Sequence, residues 1–354
     1  MVAHTTYSSQ LPAGTPGKPY TISSQDGEII YIPGSRSATR LVVTGKETEN
    51  AFALVATGGS RGDPIGFHFH EETHDVFLCL KGACNVWAND KARTMEAGDF
   101  ASVPPGVVHQ YQLLGTHSEF IGLIVPGGWE EFFRFIGDSY SGPQWPLEDD
   151  VDIFKVLIPR LKAAAEKFDM VPQPHLETFD PQPWEGSDHQ LPKAVAPYFL
   201  RNGTGPAYEV GGTVVRPLAT TAETNGKFSI GSIDSSREYH QHGIFANDDQ
   251  TIRFDEIHHA FSVADGSVEF KVDGSPSGKL GAGEIVYVPK GTAFRYRATS
   301  RFSRVYVFAS GAGLVESLIK VGKPHRTTVL PERSPEKADV AGLVALGQRF
   351  GFTI

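Results

Sequence analysis

A chain of 354 residues that is 40% hydrophobic and 11% aromatic carries enough apolar side chain to bury a sizeable core, and its length suits about two domains. Those proportions exclude a disordered or collagen-like chain. Asp and Glu number 41 against 32 Lys and Arg, a formal net charge of -9, which is the wrong sign for an unspecific nucleic-acid surface. The two cysteines, Cys79 and Cys84, are too few to staple a chain of this size and read as thiols packed as small apolar groups in a reducing compartment. Residues 1–20 lack the charged start and apolar stretch of a secretory signal, and no apolar run is long enough to span a bilayer. The expectation is a cytoplasmic protein with neither nucleic-acid nor membrane partners.

Residues 1–148 consist of short segments rich in Val, Ile, Phe, Tyr and Thr, separated by Gly, Pro, Asn and Asp turns, the pattern of a β-sandwich or barrel. A short helix-like stretch, 128–133, closes this part. Apolar residues at three and four spacing within 149–170 predict a helix, and a Pro-rich stretch follows, so 149–195 reads as a helical linker. Residues 196–322 return to the strand pattern, and 323–354 hold a second Pro-rich turn and a predicted helix over 338–350.

The second strand-rich part repeats the first. Residues 91–111 align without a gap near 275–296, with Met95, Gly98, Asp99, Pro104, Gly106 and Tyr111 answering to Leu280, Gly283, Glu284, Pro289, Gly291 and Tyr296. Upstream and downstream, Gly82 pairs with Gly266, Gly128 with Gly313, and Pro19-Tyr20 with Pro197-Tyr198. Duplication at this scale sets the architecture: an all-β chain of two jelly-roll β-barrels with a few short helices.

Four histidines cluster in the first repeat: His68, His70, His74 and His109. His68 and His70 flank Phe69, so on a strand both rings point to one face, which in a barrel is the interior. Gly98, Pro104 and Gly106 then describe turns that deliver His109 from elsewhere in the sheet. Three imidazoles and a carboxylate make an open site for a divalent transition metal, the carboxylate being Glu71, Glu72 or Asp75. His74 competes with Asp75, because strand neighbours point opposite ways and only one of them faces inward. Phe67, Phe69, Phe77, Trp87 and Tyr111 add aromatic bulk, and Phe69, Phe77, Trp87 and Tyr111 are the candidates to line a pocket for a planar ligand.

These residues stand in a recognisable order: Gly62, His68-Phe69-His70, Asp75 and Gly82, then Gly98, Pro104, Gly106 and His109. The pattern resembles the two motifs of the cupin superfamily, with Asp75 where the family has Glu, and the repetition makes the chain similar to a bicupin. It most resembles the quercetin 2,3-dioxygenase group, in particular the fungal type in which the N-terminal cupin alone keeps a metal. The resemblance implies that His68, His70, Asp75 and His109 hold one metal per chain, with His74 the alternative ligand. Copper is the choice it suggests, although such a donor set also suits iron, manganese, nickel, cobalt or zinc. In the second repeat the ligand positions become Ile252, Phe254, His259 and Phe294, which leaves a filled barrel. A shifted set, His240 and His242 with His258 or His259, is the rival arrangement there.

The resemblance further implies a dioxygenase acting on a flavonol-like enolic or phenolic aromatic substrate and O2, with Asp75 as the base that takes the enolic proton. The alternatives are a non-oxidative metal-dependent cupin, such as an isomerase, cyclase or decarboxylase acting on an intracellular metabolite, and a non-catalytic cupin that binds metal or ligand. A monomer or a homodimer is expected.

Overall fold

β-branched and aromatic residues in alternation favour a pleated surface buried on one face, and such segments form strands throughout the computed structural model, which describes residues 14–354 except 143, 276, 328, 333 and 334. Residues 1–13, most of the segment on which the absence of a secretory signal was read, lie outside the described residues. No helix among those described is long and apolar enough to cross a membrane. The chain divides into two compact units, Asp26–Thr204 and a second made of Gly205–Ile354 with the residues before Asp26.

In the first unit one antiparallel sheet runs through Glu28–Ile32, Ser37–Val43, Ala53–Gly59, His109–Val125, His74–Ala88, Phe100–Val103 and Tyr198–Leu200. Its two long strands, His74–Ala88 and His109–Val125, pair along most of their length, with register shifts between Cys79 and Ala83. Gly82 sits at this irregularity with φ +65, and a Cβ there would stand 2.4 Å from the His117 carbonyl, so only glycine fits. In the second unit the strands form an eight-stranded sheet and a five-stranded sheet, a double-sheet jelly roll.

The units differ in outline from the boundaries read in the sequence. Tyr20–Ile22, expected in the first barrel, pairs with Ile285–Val288 of the second unit. Tyr198–Leu200, expected to open the second barrel, pairs with Phe100–Val103 of the first. Each repeat thus gives its opening strand to the edge left by the other, which covers backbone groups that would otherwise lie exposed. The segment expected as a linker, 149–195, lies wholly in the first unit. Its helix is shorter than predicted, Leu157–Ala164, and the C-terminal helix is Val340–Phe350.

The duplication extends to a hydrogen-bonded loop. Glu47 accepts the backbone N–H of Thr44, and Thr48 donates its hydroxyl to the Phe52 carbonyl. Glu223 accepts from Thr220, and Thr224 donates to Phe228, so Thr-x-x-Glu-Thr and a Phe four residues on recur with the same bonds.

The core of the second barrel occupies the positions that carry histidines in the first. Ile252 pairs with Phe294 in the sheet, as His68 pairs with His109. Ile252, Phe254 and Phe294 are buried in one apolar cluster, and the His259 ring lies 4.7 Å from that of Phe254 and 5.6 Å from that of Phe294. Burial pushes His259 down to about 3, so it is neutral, and its Nε2 accepts the N–H of Leu314 at the start of a helix. His240 and His242 lie on a separate 3-10 turn, and His258 bonds the Tyr287 hydroxyl. The shifted set is therefore not assembled among the described residues. Restoring histidine at both Phe254 and Phe294 is expected to lower unfolding free energy by roughly 2–5 kcal/mol, from lost apolar burial and unpaired buried rings. It is also expected to create no tight metal site, because Ile252 still replaces one ligand and Leu314 occupies His259. Urea unfolding and metal titration check this, and a second equivalent of bound metal would contradict it.

Candidate metal centre and its cavity

His68 opens the short strand His68–Phe69, which pairs with His109 on one side and with Val171–Pro172 on the other. His70 follows directly. Asp75 enters from His74–Ala88, opposite Val103 and Ile124, and His109 begins the longest strand. One ligand nitrogen from each of His68, His70 and His109 lies within 4.8 Å of the others. Asp75 closes the group from one side, its Oδ2 3.2 Å from His70 Nε2 and 3.3 Å from His109 Nε2.

Each ring is oriented through its other nitrogen. Nδ1 of His68 meets the Gly66 carbonyl at 2.9 Å, Nδ1 of His109 meets that of Val107 at 3.0 Å, and Nδ1 of His70 meets that of Asp169. A carbonyl only accepts, so Nδ1 carries the proton in each ring and Nε2 presents a lone pair. His70 Nε2, His109 Nε2 and Asp75 Oδ1 are buried without a hydrogen-bond partner. Buried polar atoms are ordinarily paired. Lone pairs and a carboxylate turned toward one point lack a cation rather than a donor, and the donor set fits a divalent transition metal.

Asp75 and the imidazoles also shift one another's titration. Burial opposes the charge on Asp75, but His70 and His109 outweigh it and hold the carboxyl well below the usual range. Burial likewise opposes protonation of His70, yet Asp75 leaves it above its ordinary value. Desolvation, with His109 and His70 alongside, pushes His68 down.

His74 points away from the cluster and bonds the Ser102 hydroxyl at 2.8 Å, so the inward position belongs to Asp75. Glu71 and Glu72 are exposed, and neither joins the group.

Above the histidines lies a cavity of about 270 Å³ lined by His68, Asp75 and His109. Phe77 and Tyr111 line it as expected, and burial raises the Tyr111 hydroxyl pKa, keeping it protonated. Phe69 and Trp87 do not line it. Phe69 lies between two inward histidines and therefore faces outward, pairing with Val171. Trp87 packs with Phe67 and Ala92 and donates its indole N–H to the Phe179 carbonyl. The register shifts near Gly82 explain Trp87: Asp75, Phe77 and Cys79 face the interior before them, whereas Cys84, Val86 and Ala88 do so afterwards.

Several wall residues carried no signal in the motif. Trp129, Phe132 and Phe133 come from the stretch after the last long strand, and Leu157, Leu161 and Met170 from the segment expected as a linker. The amphipathic spacing of 149–170 was the one available sign that this helix has an apolar face to bury.

Residues 54–124, the stretch that holds the three histidines, match the Cupin domain family, and with the duplication the chain resembles a bicupin. Its relatives narrow the class: the chain resembles quercetin 2,3-dioxygenases. That of Aspergillus japonicus is 27% identical over 318 residues, covering 82% of this chain and 89% of the relative. That of Bacillus subtilis (strain 168) is 33% identical over 155 residues, 44% of this chain and 45% of the relative. Among solved structures, the Lactobacillus farciminis oxalate decarboxylase in a formate complex superposes with a TM-score of 0.50 at 16% identity, covering 82% of this chain and 86% of that one, a likeness of fold.

If the three Nε2 atoms hold the metal, the variant carrying both His68→Ala and His109→Ala should lose it. Elemental analysis of the purified proteins is expected to give about one transition metal per wild-type chain and under a tenth of that in the variant. Equal metal in both would refute the site.

Proposed function

We propose that this chain is a metal-dependent dioxygenase that opens the ring of a flavonol-like, enolic or phenolic aromatic substrate. The observation that carries this reading is that His68, Asp75 and His109, grouped with His70, line an apolar, aromatic-walled cavity. The resemblance to a quercetin 2,3-dioxygenase over 89% of that relative's length supports the oxidative chemistry over a non-oxidative one.

His68, His70 and His109 would hold one divalent transition metal through Nε2, with Asp75 beside them. Such a metal supplies Lewis acidity that lowers the pKa of a bound enol or phenol and orients it toward O2. Asp75 is the base. Its buried Oδ1 has no hydrogen-bond partner, so it is free to take the substrate's enolic proton. Geometry decides whether a base works before its pKa does. Asp is one methylene shorter than Glu, so the substrate must approach this carboxylate more closely.

The walls orient the ring and keep water out. Phe77, Phe120 and Trp129 present flat apolar faces to a planar ligand, and Tyr111, kept neutral, donates a hydrogen bond to a substrate oxygen. A cytoplasmic location is in keeping with two buried cysteines that are free thiols.

Oxygen uptake by metal-loaded protein with a panel of flavonols tests the proposal. Turnover is expected for the wild type. Asp75→Asn should lower kcat by about 10²–10⁴-fold, the usual contribution of a positioned base, while elemental analysis still finds metal. Stoichiometric metal without oxygen uptake on any flavonol would overturn the dioxygenase reading.

A further inference from the structure

The three ring-orienting carbonyls are not equivalent. Gly66 and Val107 each lie two residues from the histidine they hold, so those contacts come with the local turn. The carbonyl holding His70 belongs to Asp169, 99 residues away, in the segment between the two repeats. The same carbonyl accepts the Trp129 indole N–H at 3.1 Å, and the Trp129 ring lies 4.8 Å from His70, edge to face.

The side chain of Asp169 acts on the same stretch. Its Oδ1 accepts the N–H of Glu71 at 2.6 Å, and its Oδ2 accepts those of Glu72 at 2.9 Å and Thr73 at 3.0 Å, together with the Thr73 hydroxyl at 2.9 Å. Those residues are the whole turn between His70 and His74. One residue therefore holds the His70 ring by its backbone and the turn from His70 toward Asp75 by its carboxylate. Two positions further, Val171 and Pro172 pair with Phe69 and His68, so the third ligand-bearing stretch is bound by the same run of chain.

We infer that Asp169 is a positioning residue for the metal ligands: it fixes the His70 ring and the turn leading to Asp75, and so sets the affinity and symmetry of the centre without touching the metal. Groups that orient ligating imidazoles typically alter metal affinity by 10–100-fold when removed. The assignment rests on the metal-site reading above.

Asp149 supplies the control. It anchors the other end of the same segment, accepting from the Tyr31 hydroxyl and from the N–H groups of Gly34 and Arg36, and none of these partners bonds the ligand turn. If Asp169 merely kept the segment attached, loss of either carboxylate would have similar effects on the centre.

The experiment is calorimetric titration of the full-length, metal-free chain with cobalt(II), alongside the visible spectrum of the cobalt-loaded protein. Asp169→Ala, which keeps the backbone carbonyl on His70 but removes the carboxylate that holds the turn, is expected to weaken cobalt binding about 10-fold and to shift the visible bands. Asp169→Asn, which keeps the shape and one accepting oxygen, should fall between it and the wild type. Asp149→Ala should bind cobalt within about 3-fold of the wild type with an unchanged spectrum. Should Asp169→Ala fail to fold, the Asn variant decides alone. Wild-type affinity and spectrum in the Asp169 variants, or an equal loss in Asp149→Ala, would overturn the assignment. A wild type that binds no cobalt would remove the metal site itself and the assignment with it.

Discussion

Three imidazoles whose Nδ1 protons are committed to carbonyls must turn their lone pairs somewhere, and here they turn toward one another and a carboxylate at the edge of an apolar cavity. Such an arrangement is unfavourable for protein atoms alone, since buried acceptors without donors forfeit their solvation. A cation reverses the sign of that term. Several features of the first unit sustain this geometry: the paired His68 and His109, the turn pinned by Asp169, and the aromatic wall of the cavity.

The second barrel shows the same register relieved of the constraint. Ile252 and Phe294 meet in the sheet as His68 and His109 do, but their side chains satisfy each other by packing. His259, at the position of Asp75, finds a backbone N–H at the start of a helix. A polar acceptor with a protein donor can stay buried indefinitely, whereas one without needs an ion.

How much was legible in the sequence depended on the range of the interaction that fixed each residue. His68, His70, His109 and Asp75 were readable because their spacing on strands and turns is local, and the fold because the repeat is written twice. Trp87 was misplaced because two-residue alternation holds only along an unbroken strand, and the irregularity at Gly82 reverses which parity faces inward. Phe69 was misplaced despite alternation, which already set it opposite its histidine neighbours. The exchanged opening strands depend on edge pairing between distant segments, and no local pattern encodes which edge a strand will join. The part of the wall built from Leu157, Leu161 and Met170 was invisible for a similar reason: amphipathicity reveals that a helix buries a face but not what it buries it against.

That division of the wall has a consequence for how such a protein changes over time. His68, Asp75 and His109 lie on barrel strands, where a one-residue shift would turn every side chain to the opposite face. A substantial part of the cavity's shape instead comes from the stretch between the two repeats, joined to the barrel by the Asp169 bonds, by bonds to Trp87, Arg93 and Gln110, and by one short strand pairing. Insertions, deletions and exchanges are tolerated more readily in such connecting chain than in a sheet. The molecule therefore keeps its candidate metal donors and part of its cavity wall on separate tracts of sequence that can drift at different rates. The two tracts meet most closely at Asp169, whose carboxylate holds the turn from His70 to His74.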